Sequence, residues 1–250
     1  MRMNRSFATC LGLAVLTMTG LAQNAQNQVT LLSVARVQVK PDHVGEFMDM
    51  EKQYTAAYKK GGGRLRAVYR NSAGNPFEFL VISDLPNYAA LDASQSPYAK
   101  GTTPAELTRM ADRRNQCVDA VRTTYERPMN DLGFNPPNAP QPALVEVVRV
   151  TVRPEATEQW MTTVKNEVVP AMKKAGVTSL LARRVELGGS QNVFTFRLPM
   201  DKFAVLDGPN VLVKGLGPEA GAKLVAKLNS MGNAEFFLYT YMPDLSLRLQ

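Results

Sequence analysis

An arginine side chain keeps its proton inside a protein, so arginines gathered in one place call for anions beside them. Five arginines of this 250-residue chain stand in short segments where apolar and polar residues alternate: Arg36, Arg70, Arg149, Arg183 and Arg197. Glu78 is the one clear acid among them. A guanidinium offers paired N–H donors that match the two oxygens of a carboxylate or phosphate. Arg36, Arg70, Glu78, Arg149, Arg183 and Arg197 therefore form the candidate binding set, and the ligand they call for is a small organic anion. The alternative is structural. Glu78 would pair with Arg36 across neighbouring strands, and the other arginines would find acids in loops or in the tail, such as Asp244.

The elements that must position these residues occur twice. Val34, Arg36, Val37, Val39, Pro41, Met48, Lys52, Lys60 and Gly63 match Val147, Arg149, Val150, Val152, Pro154, Met161, Lys165, Lys173 and Gly176, at the constant step from Arg36 to Arg149. Each run reads as a strand, a proline in a first helical turn, an amphipathic helix and a closing glycine. Strands follow at about 65–71 and 77–83, joined by the turn signal Ser72-Ala73-Gly74-Asn75. A short helix at Tyr88–Asp92, a loop with Lys100-Gly101, a helix over roughly 104–116 and a strand near Val121–Glu126 complete the first half. Phe203–Asp207, Lys214-Gly215-Leu216-Gly217-Pro218 and Thr240-Tyr241 echo these elements in the second.

Each half thus reads β-α-β-β-α-β, the ferredoxin-like order. The expected fold is α+β: two tandem ferredoxin-like repeats, 31–130 and 144–245, packed by their open faces as a barrel-like pseudo-dimer. A proline-rich linker, 131–143, joins them. Side chains alternate along a strand. Ala35, Val37 and Val39 should face the helices, with Arg36 and Gln38 on the open face. In the second strand Ala67 and Tyr69 look helix-facing, which puts Arg70 and its counterpart Arg183 on the open side. In the third, Glu78 and Arg197 take the open side.

The order, with a strand ending in Lys-Pro or Arg-Pro and a long helix ending in glycine, resembles the dimeric α/β-barrel superfamily. Within it, Val34–Asp92 is most similar to NIPSNAP-like and antibiotic-biosynthesis-monooxygenase-like domains. The resemblance implies a barrel built from two sheets, within one chain or between chains, with any pocket near the open faces. It allows a cofactor-independent enzyme, of monooxygenase or isomerase type. Haem-using relatives exist, but the second repeat here holds no histidine, and haem is not expected.

Other residues suggest less. His43, the only histidine, has no partner at catalytic spacing. Trp160 takes the place of Phe47 on the helix stripe and reads as core. Tyr125, Tyr239 and Tyr241 could line a pocket or simply pack. Lys100 and Lys214, each followed by glycine, are either loop contacts to phosphate or one turn present twice. No metal spacing and no glycine-rich phosphate loop is present, and no cofactor is expected.

Residues 1–22 read as a signal peptide: Arg2 and Arg5, an apolar stretch from Phe7 to Leu21, and the small residues Gly20 and Ala22 before the expected cut. Its removal lowers the net charge from +7 by the two arginines it carries. The mature chain is expected to be periplasmic or secreted, with no stable membrane insertion. A monomeric pseudo-dimer and a homodimer both fit. Nothing in it suggests a nucleic-acid partner. Cys117 is the one cysteine left, so no internal disulfide supports the fold. Three functions are compatible with these features: binding of a small organic anion between the sheets, a cofactor-independent enzyme on a small organic substrate, and a packed barrel with a structural or interaction role.

Overall fold

The computed structural model describes residues 31–247 apart from 93, 95, 138 and 140. The expected signal peptide lies outside the described residues. The strands are β1 (Leu31–Val39), β2 (Arg66–Asn71), β3 (Glu78–Leu85), β4 (Val118–Pro128), β5 (Leu144–Val152), β6 (Leu181–Leu187), β7 (Val193–Met200) and β8 (Gly232–Tyr241). The helices are α1 (Val44–Lys60), α2 (Pro97–Gly101), α3 (Pro104–Cys117), α4 (Thr157–Thr163), α5 (Val169–Lys174), α6 (Val211–Leu216) and α7 (Pro218–Asn229).

The eight strands close into one antiparallel barrel in the order β1-β3-β2-β8-β5-β7-β6-β4. Each half contributes four neighbouring strands, and two seams, β2 with β8 and β4 with β6, join them. Closure leaves no sheet edge open, which removes the hazard of unpaired strand groups. The helices lie on the outside. Val37, Val39, Val68 and Phe79 pack outward beneath Phe47 and Met50 of α1. In the second half Phe194, Phe196 and Ala182 pack beneath Trp160 and Met172. Each such buried Val, Phe or Met side chain contributes about 1.5–3 kcal/mol.

Local sequence explains the element ends. Pro41 and Pro154 open 3-10 turns, where a missing N–H costs nothing. Gly62 and Gly176 take φ of 86° and 85° just past α1 and α5, a conformation that penalises any Cβ. The stretch 97–101, expected as loop, is helix α2. Gly101 and Gly215 have a packing reason: a Cβ on either would meet the backbone oxygen of Ala57 or Ala171 at 1.8 or 2.3 Å. The repeated Lys-Gly is thus a helix–helix contact, and Lys100 and Lys214 sit in α2 and α6.

The linker stretch is partly built into the fold. Leu132 is buried, and Phe134 pairs with Leu180. The C-terminal segment does the same in the first half, where Leu245 is buried and Leu247 pairs with Arg66. The long helix of the second half differs from α1. Val164–Val168 between α4 and α5 is a π-helical turn, closed by Val169 N–H donating to the Val164 oxygen. Pro170 supplies the cause, since it lacks the N–H that an α-helix would use there.

Candidate functional site

The interior of the barrel is packed. Leu32, Val34, Tyr69, Ile82, Val145 and Tyr239 form its apolar part. The polar residues of the inner face are largely paired with one another. Glu78 accepts from Tyr239 at 2.6 Å and from Asn71 at 3.2 Å, so it pairs with these groups and not with Arg36. Burial, and then the Glu78 carboxylate, raise the Tyr239 pKa. Arg197 donates to the Tyr69 hydroxyl, which also accepts from Gln141 at 2.9 Å. Arg183 is buried 3.7 Å from Glu126, and burial lowers its pKa. Arg36 lies over the Phe237 ring at 4.6 Å, and Arg149 donates to Glu235 at 3.3 Å.

Arg70 departs from the expected side. It lies on the outer face, its Nε donating to the Pro76 oxygen at 2.8 Å and its guanidinium 5.8 Å from the Phe79 ring. Ala67 and Tyr69 point inward instead. The register shows why. Tyr69 stands opposite Leu80 as Arg183 stands opposite Thr195, so Tyr69, not Arg70, is the positional counterpart of Arg183. The second half carries one residue more before this strand, and a one-residue slip reverses every face. Arg70 corresponds to Arg184, which donates to the Gln191 oxygen at 2.7 Å and lies 5.5 Å from the Phe194 ring. The arginine set therefore divides: Arg36, Arg149, Arg183 and Arg197 with Glu78 share the inner face, and Arg70 does not.

A cavity lies on the other side of the sheet. It occupies about 440 Å³ between the outer face of β5, β7 and β8 and the helices of the second half. Trp160, Val164, Val168, Leu180, Leu212 and Phe236 are among its walls. Its size falls within the range of small-molecule sites, about 300–1,000 Å³. Glu146 is the only ionisable residue along it among the described residues. Burial alone raises the pKa of this carboxyl above the ordinary 4.5. Val205, Leu206 and Phe236, also cavity-lining, are exposed at 54%, 48% and 63%, which makes the mouth apolar as well.

The first half shows how the cavity arises. Its equivalent space is filled by a polar plug. Arg66, 3% exposed, donates to the fully buried Glu51, to Thr55 at 2.7 Å and to the Tyr98 hydroxyl at 3.0 Å. Burial works to lower the Arg66 pKa, but Tyr98 and Glu51 outweigh it and the pKa is raised. At the corresponding positions the second half has Leu180, Val164, Val168 and Leu212. Shorter aliphatic groups cannot refill the volume of an arginine, a glutamate and a tyrosine, so a space with largely apolar walls remains. The π-turn runs along its wall, because Val164 and Val168 belong to it. The sequence reading missed this site. Its signal was the polar-to-apolar exchange between the halves at four matched positions.

The remaining candidates are settled by contact. Trp160 is buried against Phe194, with ring centres 4.6 Å apart, and also faces the cavity. His43, Glu46 and Cys117 bring their ligand atoms within 4.8 Å of one another. Arg113 occupies Glu46 at 3.0 Å, so a cation there would meet a positive neighbour.

No family model matches the chain. No curated protein matches it. Solved structures do. An anthrone oxidase-like protein is 12% identical, with 87% of this chain and 93% of that one covered and a TM-score of 0.61. A candidate monooxygenase from Lactobacillus acidophilus NCFM is 12% identical, with 89% and 97% covered and a TM-score of 0.59. An uncharacterised NIPSNAP domain protein from Burkholderia xenovorans, 12% identical, covers 44% of this chain and 99% of its own, with a TM-score of 0.32. At such identities the likeness concerns the fold. The chain shares the barrel fold of the candidate monooxygenase and of the anthrone oxidase-like protein, the fold that its resemblance to the dimeric α/β-barrel superfamily implies.

Proposed function

We propose that the chain binds an apolar small organic molecule in the cavity of its second half and acts on it as a cofactor-independent enzyme. The observation that carries this reading is the replacement of a complete polar plug by an apolar space with one carboxyl in its wall. Burying apolar surface there supplies affinity, about 25 cal/mol per Å² removed from water. Glu146 supplies the chemistry. A carboxylate whose charged form is disfavoured by burial is a stronger base than one in water. It takes a proton from an acidic C–H of the substrate and leaves a carbanion. Return of the proton at another carbon gives an isomerase. Addition of dioxygen to the carbanion, with the proton returned by Glu146, gives a hydroperoxide that loses water to leave a carbonyl. One oxygen enters the product and the other leaves as water, a monooxygenase-type outcome, the activity named for one structural neighbour.

The export expected from residues 1–22 belongs to the same proposal, as does an origin of the two halves by tandem duplication. The duplication is supported by the matched contacts of Arg70 and Arg184 and by the matched segments ending at Phe134 and Leu247.

Proton exchange tests the reading. A 1,3-diketone attached to an aromatic ring, incubated in deuterated water, should gain deuterium at its acidic carbon faster with the protein than without. Glu146→Gln should lose that acceleration while keeping the fold. Equal exchange with the native protein and with Glu146→Gln would remove the catalytic role.

A further inference from the structure

Strands β1 and β5 carry one inward arginine each at the same register, Arg36 and Arg149. Opposite Arg149 on β8 stands Glu235, and the two are paired. Opposite Arg36 on β4, at the corresponding place, stands Arg122. Like charges directly opposite each other across two strands are destabilising. Neither Arg36 nor Arg122 has an ion pair among the described residues. The Phe237 ring orients the Arg36 guanidinium without removing its charge.

The three arginines converge. Arg36, Arg122 and Arg149 line one small cavity of about 20 Å³, with Glu126 and Thr124 beside them. Glu126 is already engaged: Thr195 donates to it at 2.8 Å, Thr124 at 3.0 Å, and Arg183 lies 3.7 Å away. Glu235 is half exposed and reaches Arg149 alone. Positive charge is therefore in excess at this point. Burial first, and then Arg36 and Arg122, push the Arg149 pKa down. Arg122 is exposed and Arg36 and Arg149 are half-buried, so the cluster opens to solvent.

We propose that Arg36, Arg122 and Arg149 form an oxyanion site on the inner face of the barrel, which holds the carboxylate or phosphate head of a small molecule. The space admits about one water-sized group. One oxygen of the head enters and the rest of the ligand stays outside. Guanidinium forks suit an oxyanion better than a halide, because their paired N–H donors match oxygen acceptors. The site uses the inner face of β5 and is separate from the apolar cavity on its outer face. It retains Arg36 and Arg149 from the sequence-derived set and adds Arg122. The other members are spent on protein partners.

The test uses inorganic phosphate and succinate, each compared with sodium chloride at the same ionic strength. The native protein should show a saturable rise in melting temperature with one or both, and the stronger of the two identifies the head group. Arg122→Gln should weaken the response at least tenfold. Arg122→Glu copies the Arg149–Glu235 pair, so it should raise the melting temperature without ligand and abolish the response. No saturable effect beyond chloride in the native protein overturns the proposal, as does a full response in Arg122→Glu. Neither result touches the apolar cavity, whose binding is read from Trp160.

Discussion

Val168 and Thr55 occupy matched places on the long helices of the two halves, and the same substitution should have opposite costs at them. Val168 borders the open cavity, whereas Thr55 is enclosed by Arg66 and the C-terminal segment, accepting from Arg66 and donating to the Leu245 oxygen at 2.6 Å. Val168→Phe adds about 40 Å² of apolar surface that can turn into empty space. At about 25 cal/mol per Å² this is worth about 1 kcal/mol in favour of folding. The volume route agrees: about 50 Å³ of filled cavity at about 24 cal/mol per Å³ gives a similar figure. Helix propensity hardly differs between valine and phenylalanine. Thr55→Phe meets a packed site, where overpacking costs about 1–3 kcal/mol and the lost hydrogen bonds about 1 kcal/mol more. Urea unfolding of the two variants should therefore separate them by about 3 kcal/mol, with Val168→Phe at or slightly above the native protein. If Val168→Phe were as destabilising as Thr55→Phe, the second half would have no usable space and the reasoning would fail.

Other outcomes follow from the same contacts. Arg66→Leu leaves the buried Glu51 only the longer contact to Arg114, at 3.4 Å, and should cost up to about 3 kcal/mol by chemical denaturation. Arg66→Leu with Glu51→Val and Tyr98→Leu copies the second half, and should recover part of that loss while opening a cavity in the first. The folded Glu146 carboxyl holds its proton above the ordinary 4.5, so the folded state binds more protons than the unfolded chain just above that pH. Stability should then fall as pH rises from 4.5 through the folded pKa, and Glu146→Gln should flatten that decline in melting curves. Cys117 is fully buried, and burial raises its pKa, so a thiol reagent should label it only on unfolding; rapid labelling of the folded protein would contradict the core placement.

Much of this architecture was legible in the amino-acid order, for a definite reason. The matched run from Val34 to Gly63 combines period-two and helical spacing with a proline and a glycine at fixed offsets, and such local signals agree with the final packing. The inward placement of Arg36 and Arg149 followed from strand alternation alone. Arg70 did not, because a face in β2 depends on register, and register is set by pairing with β3 and β8 rather than by local pattern. Arg122 was passed over because its importance lies in what stands opposite it. The cavity was hidden for a related reason: each of Val164, Val168, Leu180 and Leu212 is an ordinary core residue. Only their joint replacement of Glu51, Thr55, Arg66 and Tyr98 reveals a space.

Trp160 is the only tryptophan of the chain and borders the cavity, so its emission reports occupancy directly. The most direct test is a titration with 1-naphthol, excited at the red edge of the tryptophan band and corrected for absorption, of the native protein and of Val168→Phe. A saturable change in Trp160 emission that disappears or weakens at least tenfold in Val168→Phe is the expected result. No saturable change in the native protein, or the same curve in both, would contradict a ligand site in the second half.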